Sequence, residues 1–279
     1  MKRQKRIVSI QDVSCFGKCS LTVALPIISA MGVECAIVPT AVLSTHTGGF
    51  TGYTFCDLTD EIEKIQKHWL DCGLSFDAIY TGYLGSARQL QLVSDFIDAF
   101  SPSSPLVFID PVMGDNGKLY AGFDAAFAAG MAKLCGKADV IVPNMTEASM
   151  MLGEPYIASG YDRAYVENML KRLCALGCRR AVLTGIVYEP ERQGAVAYDS
   201  ETNEYCEYFR ENLPVSYHGT GDVFSSSLAG ALVRGEPMNE ALRTAVDYTV
   251  ECIKATMPDD SHRYGVRFED KLSMLANGR

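Results

Sequence analysis

At 279 residues, with 34 Asp and Glu against 25 Lys and Arg, the chain carries a formal net charge of −9 and a pI near 5.0. That balance weighs against a nucleic-acid or anionic-membrane partner while leaving room for a local phosphate pocket. The length suits one generous α/β domain over residues 1–279, and composition marks no boundary inside it.

The opening is basic and then apolar, but the apolar run stops at Gln11 and Asp12, too soon for a signal peptide. RIVSIQDV (6–13) therefore predicts a first strand. SLTVALPIISAMG (20–32) predicts a helix ending at glycine, kinked at Pro26 or starting late, and ECAIVPTAV (34–42) a second strand. Residues 20–43 are interrupted by Pro26, Gly32, Glu34 and Pro39, which argues against a membrane span. LTDEIEKIQKHWLDCG (58–73) reads as a helix capped by Thr59 or Asp60, with Glu63 near the third position. FDAIYTG, LVFIDPV, ADVIVPN and RRAVLTG predict further strands, separated by helical stretches. After a turn at EPERQG (189–194), AVAYDS and EYCEYFREN read as an antiparallel pair, and helices over 221–234 and 239–256 close the chain. Short β-branched runs alternating with helical segments are the pattern of βα units around a largely parallel sheet. The 10 cysteines are scattered without a CxxC pair and the 4 histidines are dispersed, so free thiols in a reducing cytoplasm are expected rather than disulfides or a zinc site.

In open α/β sheets, ligands gather beyond the carboxyl ends of the strands. The sequence places there Asp12 and Gly17, STHTGGFTGY (44–53), TGYLG (81–85), DPVMGDNGKLY (110–120), PNMTEA (143–148), Thr184 and YHGTGDVFSSSLAG (217–230). Asp12, Asp110, Glu147 and Asp222 then share one edge, and that much buried charge calls for a metal ion or a cationic ligand. In the HGTGD turn, glycines let the backbone approach a ligand, and the first N–H groups of the following helix attract anions. Taken singly, Asp222 reads first as a helix cap, and Glu147 could equally be a partner of its helix dipole.

SIQDVSCFG, STHTGG, TGYLGS, DPVMGDNGKLY, PNMTEA and HGTGD occur in this order across residues 7–255. Together they resemble the vitamin B6 kinases, the pyridoxal and pyridoxamine kinases of the ribokinase-like superfamily. The resemblance implies a three-layer αβα sandwich with a central, mostly parallel sheet, and transfer of the ATP γ-phosphoryl group to the 5′-hydroxymethyl of a pyridine ring. It implies Asp222 as base, with the N–H groups of Gly219, Thr220 and Gly221 stabilising the moving phosphoryl. It implies an ATP side of Asp110, Asn144, Glu147 and Thr184, with Mg²⁺ near Asp110 and Glu147. Asp115 and Lys118 fall in a segment, 115–123, that resembles the one closing over ATP in such kinases, with Gly114 and Gly117 permitting its motion. For the ring it implies Asp12, Cys19, His46, Thr47 and Tyr83, Tyr83 packing on the ring and His46 without a proton-transfer role. Many such kinases carry serine where this chain has Asp12, and a carboxylate there would favour a protonated ring or an amine-bearing vitamer such as pyridoxamine. A homodimer is implied as well, and K⁺ or another monovalent cation is left open. Alternatives are a hydroxymethylpyrimidine kinase and a non-catalytic B6-binding protein.

Overall fold

The computed structural model describes residues 3–276. Its first half runs β1 (Arg6–Ser14), α1 (Leu21–Ala30), β2 (Glu34–Leu43), β3 (Phe55–Asp57), α2 (Thr59–Asp71), β4 (Ala78–Thr81), α3 (Ala87–Phe100), β5 (Leu106–Ile109), β6 (Gly114–Asp115), β7 (Lys118–Leu119) and α4 (Ala125–Cys135). The second half continues with β8 (Val140–Ile141), α5 (Met145–Leu152), α6 (Arg163–Cys174), β9 (Arg180–Glu189), β10 (Arg192–Asp199), β11 (Glu204–Glu211), α7 (Thr220–Arg234), α8 (Met238–Thr256) and α9 (Leu272–Ala276).

Nine strands form one sheet in the order β11-β10-β9-β8-β5-β4-β1-β2-β3. The run from β9 to β2 is parallel, and β3, β10 and β11 are antiparallel additions at the two edges. Alternation along each central strand feeds both faces, because successive side chains point to opposite sides. Val8, Ile10, Ile79 and Ile109 pack under α2 to α6, and Ile7, Ala78, Tyr80 and Phe108 pack under α1, α7, α8 and α9. The result is the αβα sandwich expected above. Because the parallel strands run one way, the residues after β1, β2, β4, β5, β8 and β9 meet at one edge.

Several local expectations are corrected. The first helix starts at Leu21 and runs through Pro26, so it does not start late; the N–H that proline lacks would have met the Thr22 carbonyl. Neither Thr59 nor Asp60 caps α2: Thr59 is already helical, and the Asp57 carboxylate accepts its N–H at 2.8 Å. Strand β9 runs five residues past Thr184, to Glu189, before turning back. Edge strand β3 and the β6–β7 hairpin were not expected as strands. Among the described residues, no helix is long and apolar enough to cross a membrane.

Candidate active site

Gly219 adopts φ 78° and opens α7, so Asp222 lies in the first helical turn, where the N–H groups lack helical partners. Glycine is required here by contact as well, since a Cβ would lie 1.8 Å from the Lys18 carbonyl oxygen. Asp222 remains part-exposed, yet its carboxyl is pushed up to about 8, first by burial and then by the charge of Asp110, with Asp12 adding to it and the Ser20 N–H opposing.

Asp110 follows β5 and is buried. Burial and then the neighbouring Glu147 hold it well above the usual carboxylate range, although Ser225 Oγ donates to its Oδ2 at 2.6 Å. Asn144 and Glu147 form a capping box at the start of α5: Glu147 N donates to Asn144 Oδ1 and Asn144 N to Glu147 Oε2, each at 2.9 Å. Glu147 Oε1 accepts the Met113 N–H at 3.0 Å, and burial still pushes this carboxyl up to about 7. Glu147 thus closes the capping box of its own helix, in the first turn where a dipole partner would lie, and also neighbours Asp110. Thr184 lies beside Asn144 through a backbone bridge.

The segment around Gly117 is a hairpin whose turn, Asn116 at φ 50° and Gly117 at φ 75°, has the positive angles of a type I′ turn. It docks on α5 through the Gly117 N–H to Thr146 Oγ1 bond, 2.9 Å, and through Asn144 Nδ2 to the Gly114 carbonyl, also 2.9 Å. Asp115 and Lys118 are exposed on its arms, and Asp115 Oδ1 accepts the Asn116 N–H at 2.8 Å.

On the other side, Asp12 is buried at the end of β1, where Ser14 Oγ donates to it at 3.1 Å; burial raises its carboxyl. Cys19 lies close enough to Asp222 and Asp12 that both add to the burial raising its thiol. Tyr83, raised by burial and then by Asp12, packs against Phe123 with centroids 5.7 Å apart. Thr47 is exposed. Both nitrogens of His46 are engaged within the protein, Nδ1 accepting the Gly48 N–H at 3.0 Å and Nε2 lying 2.8 Å from the Tyr264 carbonyl. None of the described ion pairs involves Asp12, Asp110, Glu147 or Asp222.

Two further residues belong to this cluster. The Tyr120 phenol, after the hairpin, is pushed up by burial and then by Glu147, Asp115, Asp222 and Asp110, although the residue as a whole is 42% exposed. Ser20 holds φ 54°, makes no capping bond to α1 and is buried; its hydroxyl opposes the rise of Asp12 and its N–H that of Asp222. A serine before a helix reads as a cap in sequence, and nothing local marks Tyr120. A cavity of about 380 Å³ is lined by Tyr161, Arg163, Tyr188 and Phe209, and Asp12, Asp110, Glu147 and Asp222 are not part of its lining.

The sequence profile of the phosphomethylpyrimidine kinase family matches residues 24–266. The chain belongs to that family. It is similar to a Bacillus subtilis pyridoxine kinase, 32% identical over 207 residues and 72% of each chain. It is also similar to a Haemophilus influenzae hydroxymethylpyrimidine/phosphomethylpyrimidine kinase, 32% identical over 177 residues, 62% of this chain and 63% of that one. Among solved structures, a Bacteroides thetaiotaomicron protein, named as a candidate phosphomethylpyrimidine kinase and crystallised with pyridoxal, superposes with TM-score 0.92 at 41% identity, covering 98% of this chain and 96% of that one. Pyridoxal kinase from Lactobacillus plantarum gives 0.88 at 32% identity, covering 97% and 96%. Kinase chemistry and the ribokinase-like fold come with this membership. The choice of ring does not.

Proposed function

We propose that the protein phosphorylates the 5′-hydroxymethyl group of pyridoxal, pyridoxamine or pyridoxine at the expense of ATP. What supports this reading is Asp222, a carboxylate in the first turn at the positive end of α7, raised to about 8 by burial and by Asp110, with Asp12 and Cys19 close by. In this reading Asp222 takes the hydroxyl proton as the substrate oxygen bonds to the γ-phosphorus, and the bond to the bridging oxygen breaks with its electron pair leaving on ADP. The N–H groups of Gly219, Thr220 and Gly221 stabilise charge on the phosphoryl oxygens in transit. Asn144 and Thr184 border the nucleotide side, with Asp115 and Lys118 on the hairpin beside it.

Two buried acids without a cationic partner, Asp110 and Glu147, fit a divalent cation. Glu147 already accepts backbone N–H groups on both oxygens, so it would suit an ion that keeps its waters, as Mg²⁺ does, with Asp110 beside it as the second acid that would hold the ion. When bound, Mg²⁺ supplies neutralisation of phosphate charge.

The relative crystallised with pyridoxal supports the B6 ring. Hydroxymethylpyrimidine is the second reading, favoured by the family profile and the Haemophilus influenzae relative. Coupled ADP release with Mg²⁺, offering pyridoxal, pyridoxamine, pyridoxine and hydroxymethylpyrimidine side by side, separates them. Higher kcat/KM for the pyridines is expected. Preference for the pyrimidine would move the enzyme to the second reading.

A further inference from the structure

Tyr264, between α8 and α9, joins three loops. Its backbone carbonyl accepts His46 Nε2–H at 2.8 Å and the Lys18 N–H at 3.3 Å. The Gly48 N–H donated to His46 Nδ1 at 3.0 Å assigns the neutral Nε2–H tautomer, in keeping with a ring whose pKa is lowered by burial. The imidazole sits so tightly under Gly17 that a Cβ there would come within 1.9 Å of its Cδ2. Phe16 lies 4.9 Å from the Tyr264 ring and 5.9 Å from Phe50, and His46 lies 5.1 Å from Phe50.

The loop held this way leads to the acids. Gly265, at φ +147°, lies against Lys18, where a Cβ would come 2.5 Å from that of the lysine, and the Lys18 carbonyl backs directly onto Gly219. Lys18 Nζ pairs with Glu269 at 2.5 Å. Two residues on, Ser20 sits buried at φ 54°, near enough for its N–H to oppose the rise of the Asp222 carboxyl. A non-glycine residue keeps such an angle only where its surroundings over-determine it.

We infer that His46 is a positioning residue: through the Tyr264 carbonyl it fastens the C-terminal segment onto the Cys15–Ser20 loop, holding Ser20 and Gly219 against Asp222 without touching substrate. The inference rests on the reading of Asp222 as the base. Misplacing a base by about 1 Å lowers turnover by up to about 100-fold, so the link has leverage over kcat although its hydrogen bonds lie outside the reacting atoms.

The test compares His46→Leu, His46→Gln, His46→Asn and Gly265→Ala on whichever ring alcohol the wild type phosphorylates. Glutamine can return a donor near the Nε2 position; asparagine keeps only an acceptor near Nδ1. The leucine and asparagine variants are expected to lose kcat at least ~10-fold with KM for ATP unchanged, and glutamine to recover most of it. Gly265→Ala, which pushes the same segment off Lys18, is expected to reproduce the loss, and His46→Leu with Gly265→Ala to be no worse than the more severe single change. Additive losses, a glutamine variant as poor as leucine, or an ATP KM rising in parallel would overturn the inference. Should the wild type phosphorylate none of the rings, the functional reading fails, and hydrogen exchange at the Lys18 amide still decides the link. Faster exchange in His46→Leu supports it, and unchanged exchange contradicts it.

Discussion

Two acidic regions of this molecule are built on opposite principles. Along β9 to β11 and α8, carboxylates are paired. Asp199 receives Arg180 Nε at 2.5 Å and Arg179 Nη2 at 3.2 Å, and these bonds outweigh burial to pull it down to about 2. Glu211 is likewise drawn to about 2 by Arg210 and Lys254. At the carboxyl edge of the sheet, Asp222 and Glu147 stand instead at about 8 and about 7, with burial the main cause. Paired acids favour the fold when ionised. Unpaired buried acids oppose it, and a fold retains them where a cation or a proton transfer needs them.

Asp222→Asn should sharpen this contrast most. Loss of the base is expected to lower kcat by about 100-fold or more, measured by coupled ADP release, whereas undiminished turnover would remove Asp222 from the mechanism. Next in size, Glu147→Gln retains one oxygen acceptor but removes the charge facing the Asp110 side. It is expected to raise KM for ATP at limiting Mg²⁺ by about 10-fold, with high Mg²⁺ restoring part of the loss. An unchanged Mg²⁺ dependence would confine Glu147 to its capping box.

In the paired region the expectation reverses. Asp199→Asn should leave kcat/KM unchanged and lower Tm by about 2–6 °C at pH 7, since it weakens charge-assisted hydrogen bonds. Its sign with pH follows from a depressed carboxyl: the stability is present above the unfolded value near 4 and is lost as pH falls toward 2, so wild type and variant should converge in acid. The smallest effect belongs to Asp12→Ser, which should shift the pyridoxamine-to-pyridoxal ratio of kcat/KM severalfold toward pyridoxal. An unchanged ratio would mean that Asp12 does not read the charge of the ring substituent.

The central strands were legible because β-branched runs ending in polar residues need little context. Strand β3 was not, since Phe55, Cys56 and Asp57 are all exposed and gain strand geometry only by pairing with β2. The β6–β7 hairpin does have a local signal, the Asn116–Gly117 pair of a type I′ turn, but its arms are only two residues long and lack strand alternation. At the site, motif order brought Asp12, Asp110, Glu147 and Asp222 to one edge, as the parallel sheet requires. Their surroundings were invisible: His46 meets a carbonyl 218 residues away, and Ser20, directly before α1, leaves that helix without a side-chain cap. Such contacts depend on tertiary placement that no local spacing encodes.

Thermal melting of wild type and Asp222→Asn between pH 5 and pH 8, without ligands, tests the contrast most directly. A carboxyl raised to about 8 in the folded state, against about 4 unfolded, loses the wild type stability as pH climbs through that window, and asparagine is spared this loss. The Tm of the variant is expected to rise relative to that of the wild type as pH increases and to exceed it at pH 8. A gap independent of pH, or one that turns against the variant as pH rises, would contradict this expectation.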